Sequence, residues 1–247
     1  MGRLTDVIKH LIIINVIFFL ATQTLGDQMY QWFSLWFPEN ENFQLWQLVS
    51  HMFMHGGFMH IAFNMYALYA FGTPLEQMWG KNKFLFFYFS AGIGAALIHT
   101  GVNYFYFNQG LDAIVNSGVS KEQVMGIVAE GKYMPDWYNV ASKSTIDNFL
   151  SAYNTPAVGA SGAIYGILVA FGMMFPNAEL MMIFLPIPIK AKYFIPVLIG
   201  IDLFSGLTGY SLFGGGIAHF AHIGGAIFGF IMMWYWKKNQ FNNNRWN

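Results

Sequence analysis

Ser161, in the stretch GASGAIYG (Gly159–Gly166), and His222, in AHIGG (Ala221–Gly225), are the two residue types that together perform acyl transfer. A neutral imidazole takes the hydroxyl proton as the serine oxygen attacks a carbonyl carbon. His60 and Asn64 are four residues apart on one helical face and supply two side-chain donors for a developing oxyanion. Ser161 follows Pro156 and Gly159 at a helix start, where backbone N–H groups lack intrahelical partners and could hold the same oxyanion. Tyr165, four residues on, shares the face of Ser161 and could stack on the imidazole. Taken alone, a serine between glycine and alanine in an apolar helix is a packing contact. GASGA is also not the G-x-S-x-G elbow, because Ala163 occupies its last position, so an α/β-hydrolase is not indicated.

The elements that must position these groups are membrane helices. With 55% hydrophobic and only 10% charged residues, the chain lacks the polar surface of a soluble domain. Apolar runs at Val7–Leu25, Phe58–Trp79, Phe84–Phe107, Ala160–Phe175, Ala191–Leu207 and Ile217–Trp236 predict six spans, most near the ~20 residues that cross a bilayer. The first run has no small-residue cleavage site and is read as a retained span. The absence of cysteine removes disulfide and thiolate chemistry, and no phosphate loop or nucleic-acid patch is present. An even number of spans puts both termini on one side, with Arg3, Lys9, Lys81, Lys83, Lys190, Lys192, Lys237, Lys238 and Arg245, leaving Lys121, Lys132 and Lys143 opposite. That bias predicts cytoplasmic termini. A polar insertion, Asn108–Pro156, falls between spans three and four on the other side. Within it, SKEQ (Ser120–Gln123) and STID (Ser144–Asp147) predict capping boxes ahead of two short surface helices, read as decoration outside the membrane.

Depth then decides how Ser161 is read. It lies fifteen residues before Pro176, and His222 fifteen before Lys237, so both sit ~22 Å above the cytoplasmic boundary. Asn64, seventeen residues before Lys81, comes out at ~26 Å. Polar groups at one level on three inward-running helices, inside a hydrocarbon core ~30 Å thick, point to function. His219 sits one turn, ~4.5 Å, further out, and only His222 precedes the IGG that permits close helix approach, so His222 is the expected base. Gly225 and Gly229 read as helix packing, His99 as a core histidine, and His51 and His55 as hydrogen-bonding groups at the outer interface. Asp202 could complete a triad but is read as a structural acceptor near the outer end of span five. The competing reading is a polytopic metal transporter or metal-dependent membrane enzyme using His51, His55, His60, His219 and His222. Against it, no carboxylate or thiol is expected at that depth.

On HMFMHGGFMHIAFN (His51–Asn64), the Glu76–Gly80 helix end, GASGAIYG, IDLF (Ile201–Phe204) and AHIGG, the chain resembles the rhomboid family of intramembrane serine proteases. The resemblance covers roughly Val7–Phe107 and Thr155–Trp236 and implies an all-α membrane protein, a six-helix rhomboid-like bundle with an extracytoplasmic insertion between helices three and four. It further implies Ser161 as nucleophile, His222 as general base, His60 and Asn64 as oxyanion donors, Tyr165 packed on His222, and a dyad that leaves Asp202 outside the chemistry. Residues 1–247 would then form one rhomboid membrane domain containing the 108–156 insertion. The implied substrates are transmembrane helices of other proteins, cut near the outer boundary. The implied setting is a bacterial cytoplasmic membrane, with no cofactor, no metal and no nucleic acid. Two features depart from the family pattern. Gln47 follows Trp46 where members often carry arginine, which keeps donors but loses the charge and bidentate fork, and the insertion is longer than in bacterial members.

Overall fold

The computed structural model describes residues 4–182, 185–210 and 218–240; Arg3, Ile217 and Arg245, used above, lie outside them. Each apolar run falls on a helix. Helix α1 (Asp6–Leu25) is followed by the short α2 (Asp27–Phe33) and α3 (Gln47–Ser50), which frame the first outer loop. Helices α4 (Phe58–Ala67) and α5 (Thr73–Trp79) are joined by a π-helical turn, Leu68–Gly72, into one continuous rod. Gly80 ends that rod with φ +78°, a conformation open to glycine, and α6 (Lys81–Asn116) starts at once. The start of α1 is capped from a distance, since the Glu76 carboxylate accepts the Val7 and Ile8 N–H groups, each at 3.0 Å, and the Thr5 hydroxyl.

The 36 residues of α6 extend ~54 Å, well beyond the ~30 Å of hydrocarbon, so this helix continues past the expected end of span three at Phe107 and runs into the insertion. Three helices follow rather than two: α7 (Lys121–Ala129), α8 (Trp137–Val140) and α9 (Lys143–Asn154). Ser120 and Gln123 form the expected capping box of α7 in both directions. The cap of α9 is Ser142, whose extended backbone lets its hydroxyl accept the Thr145 N–H at 3.2 Å; Ser144 already lies inside the first turn, which corrects the expected box at Ser144–Asp147. The insertion packs Val124, Val128, Trp137, Ile146 and Phe149 against Phe107, Leu111 and Ile114 of α6, a second small core of its own. Phe37 of the first loop joins that core, and Asn40 Nδ2 donates to the Tyr153 carbonyl at 2.9 Å.

Helix α10 (Ser161–Met174) occupies the centre of the bundle, with Ile167 and Ala170 fully buried. A short antiparallel ribbon, β1 (Glu179–Met182) and β2 (Leu185–Lys190), connects it to α11 (Ala191–Thr208), and α12 (His219–Gln240) follows. The ribbon is an addition to the expected all-helical architecture. By length and composition α1, α6 and α11 are each able to cross a membrane, while α10 is a shorter apolar helix. Ile17 and Leu20 of α1, Val197 and Leu207 of α11, and Phe230 and Ile231 of α12 are exposed, an apolar exterior suited to lipid rather than water.

Candidate active site

Glycine faces bring the reactive helices together. A Cβ on Gly225 would lie 1.8 Å from the Gly162 carbonyl oxygen, and one on Gly229 would lie 2.6 Å from Gly166 Cα, so α10 and α12 are in backbone contact. On the other side of α10, Gly162 and Gly166 accommodate Ala95 and Ala91 of α6, each Cβ position lying 2.6 Å from the alanine methyl. With the helices in that register, Ser161 Oγ stands 2.8 Å from His222 Nε2. The Tyr165 ring stacks on the His222 ring at a centroid separation of 4.2 Å and an interplanar angle of 13°.

Gly159 precedes the serine at φ +123°, where its N–H donates to the His51 carbonyl at 2.9 Å. A Cβ there would meet His60 Nε2 at 2.8 Å and Ser161 Oγ at 3.5 Å, so only glycine permits the approach of His60 to the serine. The Gly56 N–H donates to His60 Nδ1 at 3.4 Å, which leaves His60 Nε2 as the protonated ring nitrogen on the side facing Gly159. Asn64 is 6% exposed, and its Nδ2 is buried without a hydrogen-bond partner among the described residues. The structure therefore brings Ser161, His222, Tyr165, His60 and Gly159 to one place, with Asn64 one turn after His60 on α4.

Several other polar groups have local partners, but His55, expected to hydrogen-bond at the outer interface, is buried with neither ring nitrogen hydrogen-bonded among the described residues. His51 Nδ1 donates to the Gln47 carbonyl at 2.7 Å, and Asn103 pairs with His99 Nε2 at 3.2 Å within α6. Gln47 is fully buried in the first loop, accepting the Trp36 and Gln44 N–H groups at 3.3 and 3.2 Å and donating to the carbonyls of Asn42 at 2.8 Å and Gln31 at 3.1 Å. It thus ties the loop together without a charge.

Asp202 was expected to be a structural acceptor apart from the dyad, and here the structure differs. Its Oδ1 lies 3.1 Å from His222 Nδ1 and 2.5 Å from His219 Nδ1, and its Oδ2 accepts the Tyr165 hydroxyl. The signal was present in the sequence. Asp202 lies twelve residues after Lys190, ~18 Å from the cytoplasmic boundary and within one turn of the level computed for Ser161. Among the described residues, Asp202, His219 and His222 are also the one group whose metal-ligating atoms fall within 4.8 Å of one another. The His51, His55 and His60 set invoked by the metal reading forms no such group among those residues. His55 and His60 instead contact edge to face, with ring centroids 5.0 Å apart.

Comparison with known proteins identifies the family of the chain. A family model described as the Rhomboid domain matches residues 42–239. Rhomboid protein 1, mitochondrial, of Saccharomyces cerevisiae is 25% identical over 191 residues, which cover 77% of this chain and 42% of that protein. The human presenilin-associated rhomboid-like protein, mitochondrial, is 29% identical over 184 residues, 74% of this chain and 35% of that protein. Rhomboid protease AarA of Providencia stuartii is 30% identical over 200 residues, 76% of this chain and 54% of that protein. The chain thus spans between a third and just over half the length of these relatives. Because the match spans residues 42–239, a range that includes His60, Ser161 and His222, and the bundle contains helices of membrane-crossing length and composition, the chain belongs to the rhomboid family of integral membrane proteins.

Proposed function

We propose that this protein is an intramembrane serine endopeptidase that cuts transmembrane helices of other membrane proteins near the outer membrane boundary. The observation that carries the reading is the 2.8 Å contact of Ser161 Oγ with His222 Nε2. In this reading Nε2 takes the hydroxyl proton as Oγ attacks the scissile carbonyl carbon. The tetrahedral oxyanion accepts hydrogen bonds from His60 Nε2–H, Asn64 Nδ2–H and the Ser161 backbone N–H, which has no intrahelical partner in the first turn of α10. The imidazolium then protonates the leaving amine, an acyl-enzyme ester remains on Ser161, and water activated by the same imidazole releases it. Tyr165 holds the imidazole plane. Backbone groups of a substrate must leave their helical hydrogen bonds to reach Ser161, so helix-breaking positions in the substrate lower the cost of entry.

The same reading places residues 1–247 in one rhomboid membrane domain, with both termini in the cytoplasm and the 108–156 insertion on the opposite side of a bacterial cytoplasmic membrane. The chemistry uses no cofactor or metal. A fluorophosphonate probe on the purified full chain tests it. Peptide mass spectrometry should find the adduct on Ser161, labelling should persist in strong chelators, and Ser161→Ala should not label. Undiminished labelling of Ser161→Ala would remove the nucleophile from this reading.

A further inference from the structure

Asp202 is 5% exposed, and its carboxylate is shared by three side chains from two other helices: Tyr165 of α10, and His219 and His222 of α12. An ionised carboxylate only accepts hydrogen bonds, so each partner must supply the proton. The phenol has one to give. The imidazoles must each carry a proton on Nδ1, and a neutral His222 so arranged presents a bare Nε2 to the Ser161 hydroxyl at 2.8 Å. The reverse arrangement, a protonated Asp202 donating to His222 Nδ1, would put the His222 proton on Nε2. It would give the serine a donor where it needs an acceptor.

From this geometry we infer that Asp202 is a positioning residue of the proteolytic site, a third member that holds His222 in its reactive tautomer and orientation and faces the imidazolium formed when Ser161 gives up its proton. The inference rests on the reading of Ser161 and His222 as nucleophile and base. No proton passes to the carboxylate: the serine proton moves from Oγ to Nε2, the Nδ1 proton stays on the ring, and the charge of Asp202 offsets that of the ring. Tyr165 closes the arrangement, because the ring that stacks on His222 also bonds Asp202 through its hydroxyl. Plane and tilt of the imidazole are therefore set from α10 and α11 together. His219 donates to the same oxygen from one turn away, its ring 6.5 Å from that of His222 and nearly perpendicular to it at 87°, which gives the carboxylate a second anchor on α12.

The test begins on the unmodified full chain in detergent micelles, labelled with ¹⁵N at histidine, with the His222 signals identified by their loss in His222→Ala. At a pH where the imidazoles are neutral, His222 should show a protonated Nδ1 and a bare Nε2; a bare Nδ1 overturns the inference. Asp202→Asn, which keeps the shape and removes the charge, should then lower kcat on a transmembrane reporter by roughly 10²–10⁴ while KM changes by no more than about threefold. A kcat within threefold of the unmodified protein overturns it as well. Should that variant fail to fold, the tautomer measurement decides alone. Failure here is distinguishable from failure of the underlying reading. A bare Nδ1 alongside Ser161-dependent fluorophosphonate labelling refutes the role of Asp202 only, whereas labelling that survives Ser161→Ala refutes the nucleophile.

Discussion

Gly225 packs against Gly162 so closely that a Cβ added to it would lie 1.8 Å from the Gly162 carbonyl oxygen. That contact sets the separation of α10 from α12, and Ser161 and His222 stand one and three residues away from it along their helices. Gly225→Val must push the helices apart by an ångström or more, since the obstacle is backbone and cannot rotate away. An error of that size at a reacting pair costs about 10² in rate. Reporter cleavage should fall at least that far, with a lowered melting temperature, whereas Ile227→Ala, on the 44% exposed outer face of the same helix, should cleave normally. Full activity in Gly225→Val would mean that the glycine contact does not govern the site.

The two histidines of α12 separate by their partners. His222 meets Ser161 through Nε2, while His219 meets Asp202 through Nδ1, and among the described contacts it has none to the serine. His222→Ala should therefore abolish cleavage and fluorophosphonate labelling together. His219→Ala should retain substantial activity, because Asp202 keeps its bonds to Tyr165 and His222. A dead but folded His219→Ala beside an active His222→Ala would reverse the assignment of the base.

Apolar run length made the bundle legible in the sequence, because every spanning helix needs enough apolar residues to cross the hydrocarbon. Hydropathy reports where the bilayer ends, however, and not where backbone hydrogen bonding ends. The helix through Phe107 continues to Asn116 because Leu111 and Ile114 find a second core in the insertion. The π-helical turn at Leu68–Gly72 left no mark in the pattern, since its residues are as apolar as their neighbours. Ser161 and His222 were placed at one level by residue counting from the cytoplasmic boundary, and the same count applied to Lys190 and Asp202 would have drawn the carboxylate to that level. What counting does not supply is azimuth. Only the packing of α11 against α10 and α12 turns Asp202 inward to meet three donors.

His60 and Asn64 act on the transition state in the proposed chemistry, so their loss should appear in turnover more than in substrate binding. Removing one oxyanion donor typically costs 10²–10³ in kcat, about 3–4 kcal/mol. Asn64→Ala should fall in that range and stay folded, because the Asn64 Nδ2 that it removes has no partner among the described residues. His60→Ala should lose a similar factor. Unchanged cleavage kinetics in both variants would exclude them from the oxyanion site.

Gln47 offers a test of how the first outer loop is held. Its amide joins the N–H groups of Trp36 and Gln44 to the carbonyls of Asn42 and Gln31, all within the loop that leads into His51. The His51 ring in turn donates to the Gln47 carbonyl, and the His51 carbonyl accepts the Gly159 N–H two residues before the serine. Truncation to alanine leaves several backbone groups without partners, at about 1–3 kcal/mol for each that water does not reach, so Gln47→Ala should destabilise the protein by about 2–4 kcal/mol. Thermal unfolding in detergent measures this. Because the hydrogen bonds that the described residues make to Ala157 and Gly159, ahead of Ser161, are backbone ones, Ser161 should still label with a fluorophosphonate at a temperature where the variant is folded, though more slowly. A melting temperature equal to that of the unmodified protein would mean that water or neighbouring side chains replace the amide, and that the loop is held from elsewhere, with Phe37 and Asn40 against the insertion as the next contacts to remove.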